Sequence, residues 1–198
     1  VEKTGGCTMC GFYCATSRGR AVSAEEYIAQ FEYVMDAVDL GDYPIISIYN
    51  DGNLFNEHEM PVAAIEKICS YINNYQNIKK VVVESRIDYS PDEHVLRMKK
   101  ALGGRQLEVA FGFESANPLV MNLCINKGFS TNNFDHFHSR MQSMGVLTKP
   151  LLLVKPPFLT EAEAVRDIVE TVAYCVSKGI DYVDLEVTTV EKNTVVHE

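Results

Sequence analysis

The residues best placed to do chemistry stand near the start of the sequence, in Gly5-Gly6-Cys7-Thr8-Met9-Cys10-Gly11. Two thiols separated by two residues can bind one metal ion or cluster through adjacent thiolates, and flanking glycines let the backbone wrap closely around it. A zinc ribbon would need a second pair of this kind. Cys14 stands alone, and Cys69, Cys124 and Cys175 are scattered through apolar helical text, where they read as small buried hydrophobes. A redox-active pair of the thioredoxin kind would follow a strand and open a helix in a smaller fold. An iron–sulfur cluster on three cysteines, with one iron open to a ligand, is the third reading, and from spacing alone all three stand.

A second set of polar residues follows the strand-like runs. Asn50-Asp51-Gly52-Asn53 comes after Tyr43 to Tyr49, Glu84-Ser85-Arg86 closes Lys80 to Glu84, Gly112-Phe113-Glu114-Ser115 closes Leu107 to Phe113, and Lys155-Pro156-Pro157 follows Val146 to Val154. Each has a plain explanation: a turn, a Glu84–Arg86 ion pair, a proline stop. Their recurrence at the carboxyl ends of successive strands is what suggests a site. His58, His136 and His138 read as surface residues, since two positions apart on a helix face different directions. Tyr13, Tyr49 and Tyr89 could line a cavity or simply pack.

The elements that must position these groups alternate. Ser23 to Val38 opens on a Ser-Ala-Glu-Glu capping box, and helical periodicity runs over Pro61 to Tyr75, from Ser90-Pro91 to Leu102, Leu119 to Ile125, Asn132 to Met144, and from Thr160 to Lys178 behind a second capping box. Ser90 is expected to cap its helix, with Pro91 in the first turn. The last strand is Tyr182 to Val187. Strand and helix alternation predicts a parallel sheet covered by helices, in an α/β fold. A partial β/α barrel is favoured over a doubly wound open sheet, and a complete eight-unit barrel needs about 250 residues against the 198 present.

Composition narrows the function. With 18 Lys and Arg against 27 Asp and Glu, the net charge of −9 makes the average surface repel phosphate backbones. No apolar run reaches the roughly 18 residues of a membrane span, and the expectation is a cytoplasmic protein with no membrane partner. The basic spots at Lys79, Lys80, Lys99, Lys100 and Arg105 fall at the amino ends of strands, and Arg18 and Arg20 lie near the cysteine loop.

Taken in order, GGCTMCGF (5–12), SIYNDGNLF (47–55), VVVESRIDY (81–89), VAFGFESANP (109–118), INKGF (125–129) and LLLVKPPFLTEAEA (151–164) resemble the radical S-adenosylmethionine (SAM) enzymes. The likeness is to the branch holding the elongator catalytic subunit and the radical subunit of archaeosine synthase. It implies a partial (β/α)6 TIM-type barrel, here lacking its first strand, with residues 1–198 forming a radical SAM core cut at its amino end and a further domain possible after 198. It implies a 4Fe–4S cluster on Cys7, Cys10 and a third cysteine upstream of Val1, Cys14 being the lesser candidate. The cofactor-binding residues carried over are Asn50, Asp51, Gly52 and Asn53 for the SAM amino group, Glu84 and Arg86 for its amine or ribose and its carboxylate, Glu114 for the ribose hydroxyls, and Lys155 for an anionic group. Ile87 replaces the proline of the corresponding motif, and Asn193-Thr194 stands where relatives have Gly-Thr.

The activity so implied is reductive cleavage of SAM to a 5′-deoxyadenosyl radical for hydrogen abstraction, fed by an external electron donor, in tRNA base modification or on a small molecule. A partner subunit or C-terminal domain would deliver any tRNA. A zinc-binding or noncatalytic binding domain on a TIM-type scaffold is the alternative.

Overall fold

The computed structural model describes residues 6–12, 16–50 and 52–198. Five strands, β1 (Ile45–Ile48), β2 (Lys80–Glu84), β3 (Gln106–Glu114), β4 (Leu147–Val154) and β5 (Asp184–Val187), form one sheet in sequential order. The registers β1–β2, β2–β3 and β4–β5 are parallel, with Ile46 beside Val81, Val83 beside Val109 and Leu152 beside Leu185. A doubly wound sheet reverses direction at a switch point; this order never does. The chain is therefore α/β, wound in the manner of a partial TIM-type barrel.

Each parallel step needs a crossover, and helices supply it: α1 (Ala24–Ala37) precedes β1, and α2 (Val62–Ile72), α3 (Asp92–Ala101), α4 (Thr131–Ser143) and α5 (Glu161–Ser177) join successive strands. Both capping boxes form. The Ser23 hydroxyl accepts from the Glu26 N–H while Glu26 accepts from the Ser23 N–H, and Thr160 and Glu163 repeat the exchange. The expected Ser90 cap does not form. Pro91 takes the cap position of α3 without a side-chain bond, and the Ser90 hydroxyl donates back to the Arg86 carbonyl at 2.9 Å.

The chain divides into two compact units. The first comprises Val1–Arg18, Phe111–Arg140 and Thr148–Glu198, the second Gly19–Ala110 and Met141–Leu147, so β3 runs from the second into the first. In the first unit Phe113 stacks on Phe134 with centroids 4.1 Å apart, and Phe111 meets Phe137 edge-on at 5.0 Å. His138 belongs to this core and not to the surface: it is 6% exposed, stacks near Phe134, and its ring nitrogens meet Thr148 Oγ1 at 2.6 Å and the Lys178 carbonyl at 3.2 Å. His136 and His58 are exposed, as expected. In the second unit Val81, Val82 and Val83 of β2 are buried with Ile72, Met98 and Leu107.

Candidate functional site

In the first unit the cysteine loop is a tight turn, the Cys10 N–H donating to the Cys7 carbonyl at 3.2 Å. It is clasped by a six-residue π-helix, Val120–Ile125. The Thr8 N–H donates to the Ile125 carbonyl at 2.9 Å, the Thr8 hydroxyl to the Cys124 carbonyl at 2.5 Å, and Asn126 Nδ2 to the Gly6 carbonyl at 2.8 Å. Cys7 and Met9 pack on Val120, Ile125 and Leu153. The C-terminal segment closes the other side: the Val196 N–H donates to the Thr8 carbonyl, and a Cβ on Gly11 would stand 2.6 Å from Glu191 Cβ. Only glycine fits there, a requirement the flanking glycine of the motif meets.

Cys7 is half-buried and Cys10 exposed, and neither is in a disulfide. As a donor set they fit two ligands of an iron–sulfur cluster. Among the described residues no three His, Cys, Asp or Glu stand together to hold a metal ion. Cys14 and Tyr13 lie outside the described residues, as does Asp51. Cys69 and Cys175 are wholly buried, and burial pushes each thiol up to about 12, which keeps them out of thiolate chemistry.

Two further predicted residues of this unit sit on unusual backbone. Glu114, at the end of β3, and Lys155, just after β4, have φ of 68° and 58°, in the left-handed region. For side chains of this kind that costs about 1–2 kcal/mol, and such positions gather at functional sites. Glu114 is buried against Lys127, Oε1 to Nζ 2.8 Å. Lys155 is exposed and pairs with Glu161 in the first turn of α5, while its carbonyl accepts from the Thr188 hydroxyl at 2.7 Å. Behind Glu114, the Ser115 hydroxyl donates to Asp167 Oδ1 of α5 at 2.8 Å, and Asp167 Oδ2 is buried with no partner among the described residues. Burial raises the pKa of Asp167 from its ordinary value, against the hydrogen bond from Ser115 that works to lower it.

The second unit uses its strand-end residues differently. Asn53 is buried, its N–H donating to Glu59 Oε2 at 2.6 Å and its Nδ2 to Glu59 Oε1 at 2.8 Å. Asn53 Oδ1 accepts from the Arg86 N–H at 3.0 Å, and the Leu54 N–H donates to the Glu84 carbonyl at 3.1 Å. A Cβ on Gly52 would strike Glu59 Oε2. Thus Asn53, Gly52 and the Arg86 backbone come together around Glu59. The Arg86 guanidinium forks onto Asp88, Nε to Oδ1 3.0 Å and Nη2 to Oδ2 3.1 Å, where a Glu84–Arg86 ion pair was the plain expectation. Burial works to raise the Asp88 carboxyl, but the Arg86 hydrogen bonds and charge outweigh it and hold the group below its ordinary value. Asn50 Oδ1 and the fully buried Ser85 Oγ have no partner among the described residues. Buried polar atoms left unpaired at a strand end fit a bound ligand or ordered water.

Sequence reasoning missed Glu59, Lys127 and Asp167. Asp167 had a legible signal, a carboxylate on the stripe Ala164, Asp167, Thr171 and Cys175 that α5 buries.

No family model matches the chain. It is 31% identical over 196 residues to archaeosine synthase subunit beta of Methanosarcina acetivorans, covering 98% of this chain and 56% of that one. It is 25% identical over 192 residues to the protein of the same name from Thermococcus kodakarensis, covering 95% and 58%. An uncharacterised protein of Methanocaldococcus jannaschii is 29% identical over 198 residues, covering 98% and 53%. The chain spans about half the length of these curated relatives. Among solved structures, the radical SAM methyltransferase TsrM of Kitasatospora setae, with cobalamin and a 4Fe–4S cluster bound, is similar at a TM-score of 0.47 and 16% identity, over 81% of this chain and 28% of that one. By sequence the chain is similar to archaeosine synthase subunit beta along nearly its whole own length and about half of that protein's.

Proposed function

We propose that the chain is the core of a radical SAM enzyme. The observation that carries the reading lies within one unit: the π-helix that clasps the Cys7–Cys10 loop leads through Asn126 to Lys127, whose partner Glu114 ends β3 on left-handed backbone. Cys7 and Cys10 would hold two irons of a 4Fe–4S cluster, which when bound would supply the electron that cleaves SAM to methionine and a 5′-deoxyadenosyl radical.

The chain's own residues would bind and orient. Arg86, whose Nε and Nη2 fork onto Asp88, would turn its remaining guanidinium N–H groups to the methionyl carboxylate. Asn50, with its unpaired Oδ1, and the turn at Gly52 and Asn53 would receive the amino group, together with Asp51 and Glu84. Glu114 would accept from ribose hydroxyls and Lys155 would face an anionic group. Pro156 and Pro157, both buried, stiffen the segment after Lys155.

The substrate we propose is an RNA base presented by a partner subunit or a further domain, in keeping with relatives named as a subunit of archaeosine synthase. Four basic residues of the second unit are spent internally. Lys80 pairs with buried Glu108 at 3.1 Å, Arg105 binds the carbonyls of Tyr75, Ile78 and Leu102, and Lys79 and Lys99 donate to carbonyls of Gln76 and Met144. Residues 1–198 alone are expected not to shift tRNA in a gel at ~150 mM salt.

Incubating the anaerobically reconstituted, reduced protein with SAM and measuring 5′-deoxyadenosine tests the central reading. Product is expected from the wild type and none from Cys7→Ala or Cys10→Ala. Arg86→Ala should keep the cluster and weaken SAM binding by about 2 kcal/mol. A cluster-loaded wild type that neither binds nor cleaves SAM would sink the proposal.

A further inference from the structure

Three local irregularities meet at one ion pair. Gly112 lies two residues before Glu114 on the same face of β3, and a Cβ there would collide with Glu114 Oε1 and stand 2.5 Å from Lys127 Nζ. Glu114 itself has a φ of 68°. Lys127 is delivered by the π-helix through Asn126, a left-handed cap with a φ of 60°, and its N–H donates to the Met121 carbonyl at 2.9 Å. Its ammonium also stands 5.7 Å from the centre of the Phe129 ring. The side chains of the pair are 7% and 11% exposed.

A buried ion pair is a poor device for stability alone, because two apolar residues of similar volume would serve as well. Here a missing side chain, two left-handed residues and a π-helix all accommodate it. Lys127 takes Glu114 Oε1, and Oε2 has no partner among the described residues.

We propose that Lys127 is a positioning residue that fixes the rotation of the Glu114 carboxylate and balances its charge, so that Oε2 is presented as an acceptor for a neutral hydroxyl. A balanced carboxylate still accepts a hydrogen bond from a ribose hydroxyl, but it exerts little net field on an ammonium. The pair therefore reads the sugar end of a nucleoside ligand and leaves its amine to other groups. This rests on the reading of Glu114 as a SAM contact.

The test is equilibrium binding, by calorimetry on the cluster-loaded protein, of SAM and of its 2′-deoxy and 3′-deoxy analogues. Wild type is expected to prefer SAM to at least one of them by about tenfold or more, the worth of one hydrogen bond to a charged group. Lys127→Met and Lys127→Gln, each checked for a cooperative melt, should lose that preference, and Lys127→Arg should restore part of it. Gln keeps a donor without the charge and carries the test if the Met variant unfolds. A folded Met or Gln variant that still prefers SAM as the wild type does overturns the role of Lys127. Failure of the wild type to bind SAM at all overturns the function reading instead, and SAM binding without preference for either hydroxyl overturns the ribose assignment of Glu114 and with it this proposal.

Discussion

The strand ends of the two units carry similar polar residues put to different use. In the second unit Asn53, Gly52 and the Arg86 backbone converge on Glu59, so much of the polarity after β1 and β2 satisfies backbone donors and fixes a loop. In the first unit the polarity after β3 and β4 stands on left-handed backbone, with a buried charge pair beside a clasped thiol loop. A polar residue after a parallel strand is thus two kinds of signal, one whose hydrogen bonds close on its own loop and one that stands on strained backbone beside buried charge.

Lys127→Met should have the largest effect on stability, about 3 kcal/mol by chemical denaturation, because it leaves the Glu114 carboxylate buried without its counter-charge. Glu59→Ala comes next, at about 2 kcal/mol, since it strips the acceptor from the Asn53 N–H, Asn53 Nδ2 and Asn56 Nδ2. If the comparison holds, Glu59→Ala loosens the β1 loop yet leaves iron content intact. An equal loss of cluster would erase the distinction between the units.

Gly11→Ala follows, at about 1–2 kcal/mol, because the new Cβ must displace Glu191 at its Cβ and Cγ. That loss should come with slower cluster assembly, read from the rise of absorbance during reconstitution. Asp167 supplies a pH dependence. Its native pKa is raised, so the unfolded chain gives up its proton first, and folding weakens as pH climbs from the ordinary carboxyl range through the raised value. Asp167→Asn should flatten this fall, read as the slope of stability against pH above the ordinary carboxyl range. The smallest effect is expected from Arg20→Ala, whose exposed pair with Glu26 is screened by solvent, so that its denaturation midpoint should match the wild type's.

Much of the fold was legible because periodicity and capping are local. β2 is found over Lys80–Glu84 as read, and the capping boxes at Ser23 and Thr160 open α1 and α5. Ser90 misled because a serine before proline can cap forward or bond backward, and tertiary placement of Arg86 decides between them. His138 misled because its burial comes from Thr148 and the Lys178 carbonyl, partners 10 and 40 residues away. Of the candidate site, Glu114 and Lys155 were legible as residue types at strand ends, whereas their left-handed backbone has no sequence signal, and the helix expected over Leu119 to Ile125 is a π-helix that brings Lys127 to Glu114.

The most direct measurement is the iron and sulfide content of the whole protein after anaerobic reconstitution, with its charge-transfer absorbance, for the wild type, Cys7→Ala, Cys10→Ala and, as control, Cys69→Ala. The account predicts a full 4Fe–4S complement in the wild type and in Cys69→Ala, and its collapse in both loop variants with the fold intact by circular dichroism. A wild type that takes up zinc in place of iron and sulfide, or loop variants that keep the cluster, would contradict it.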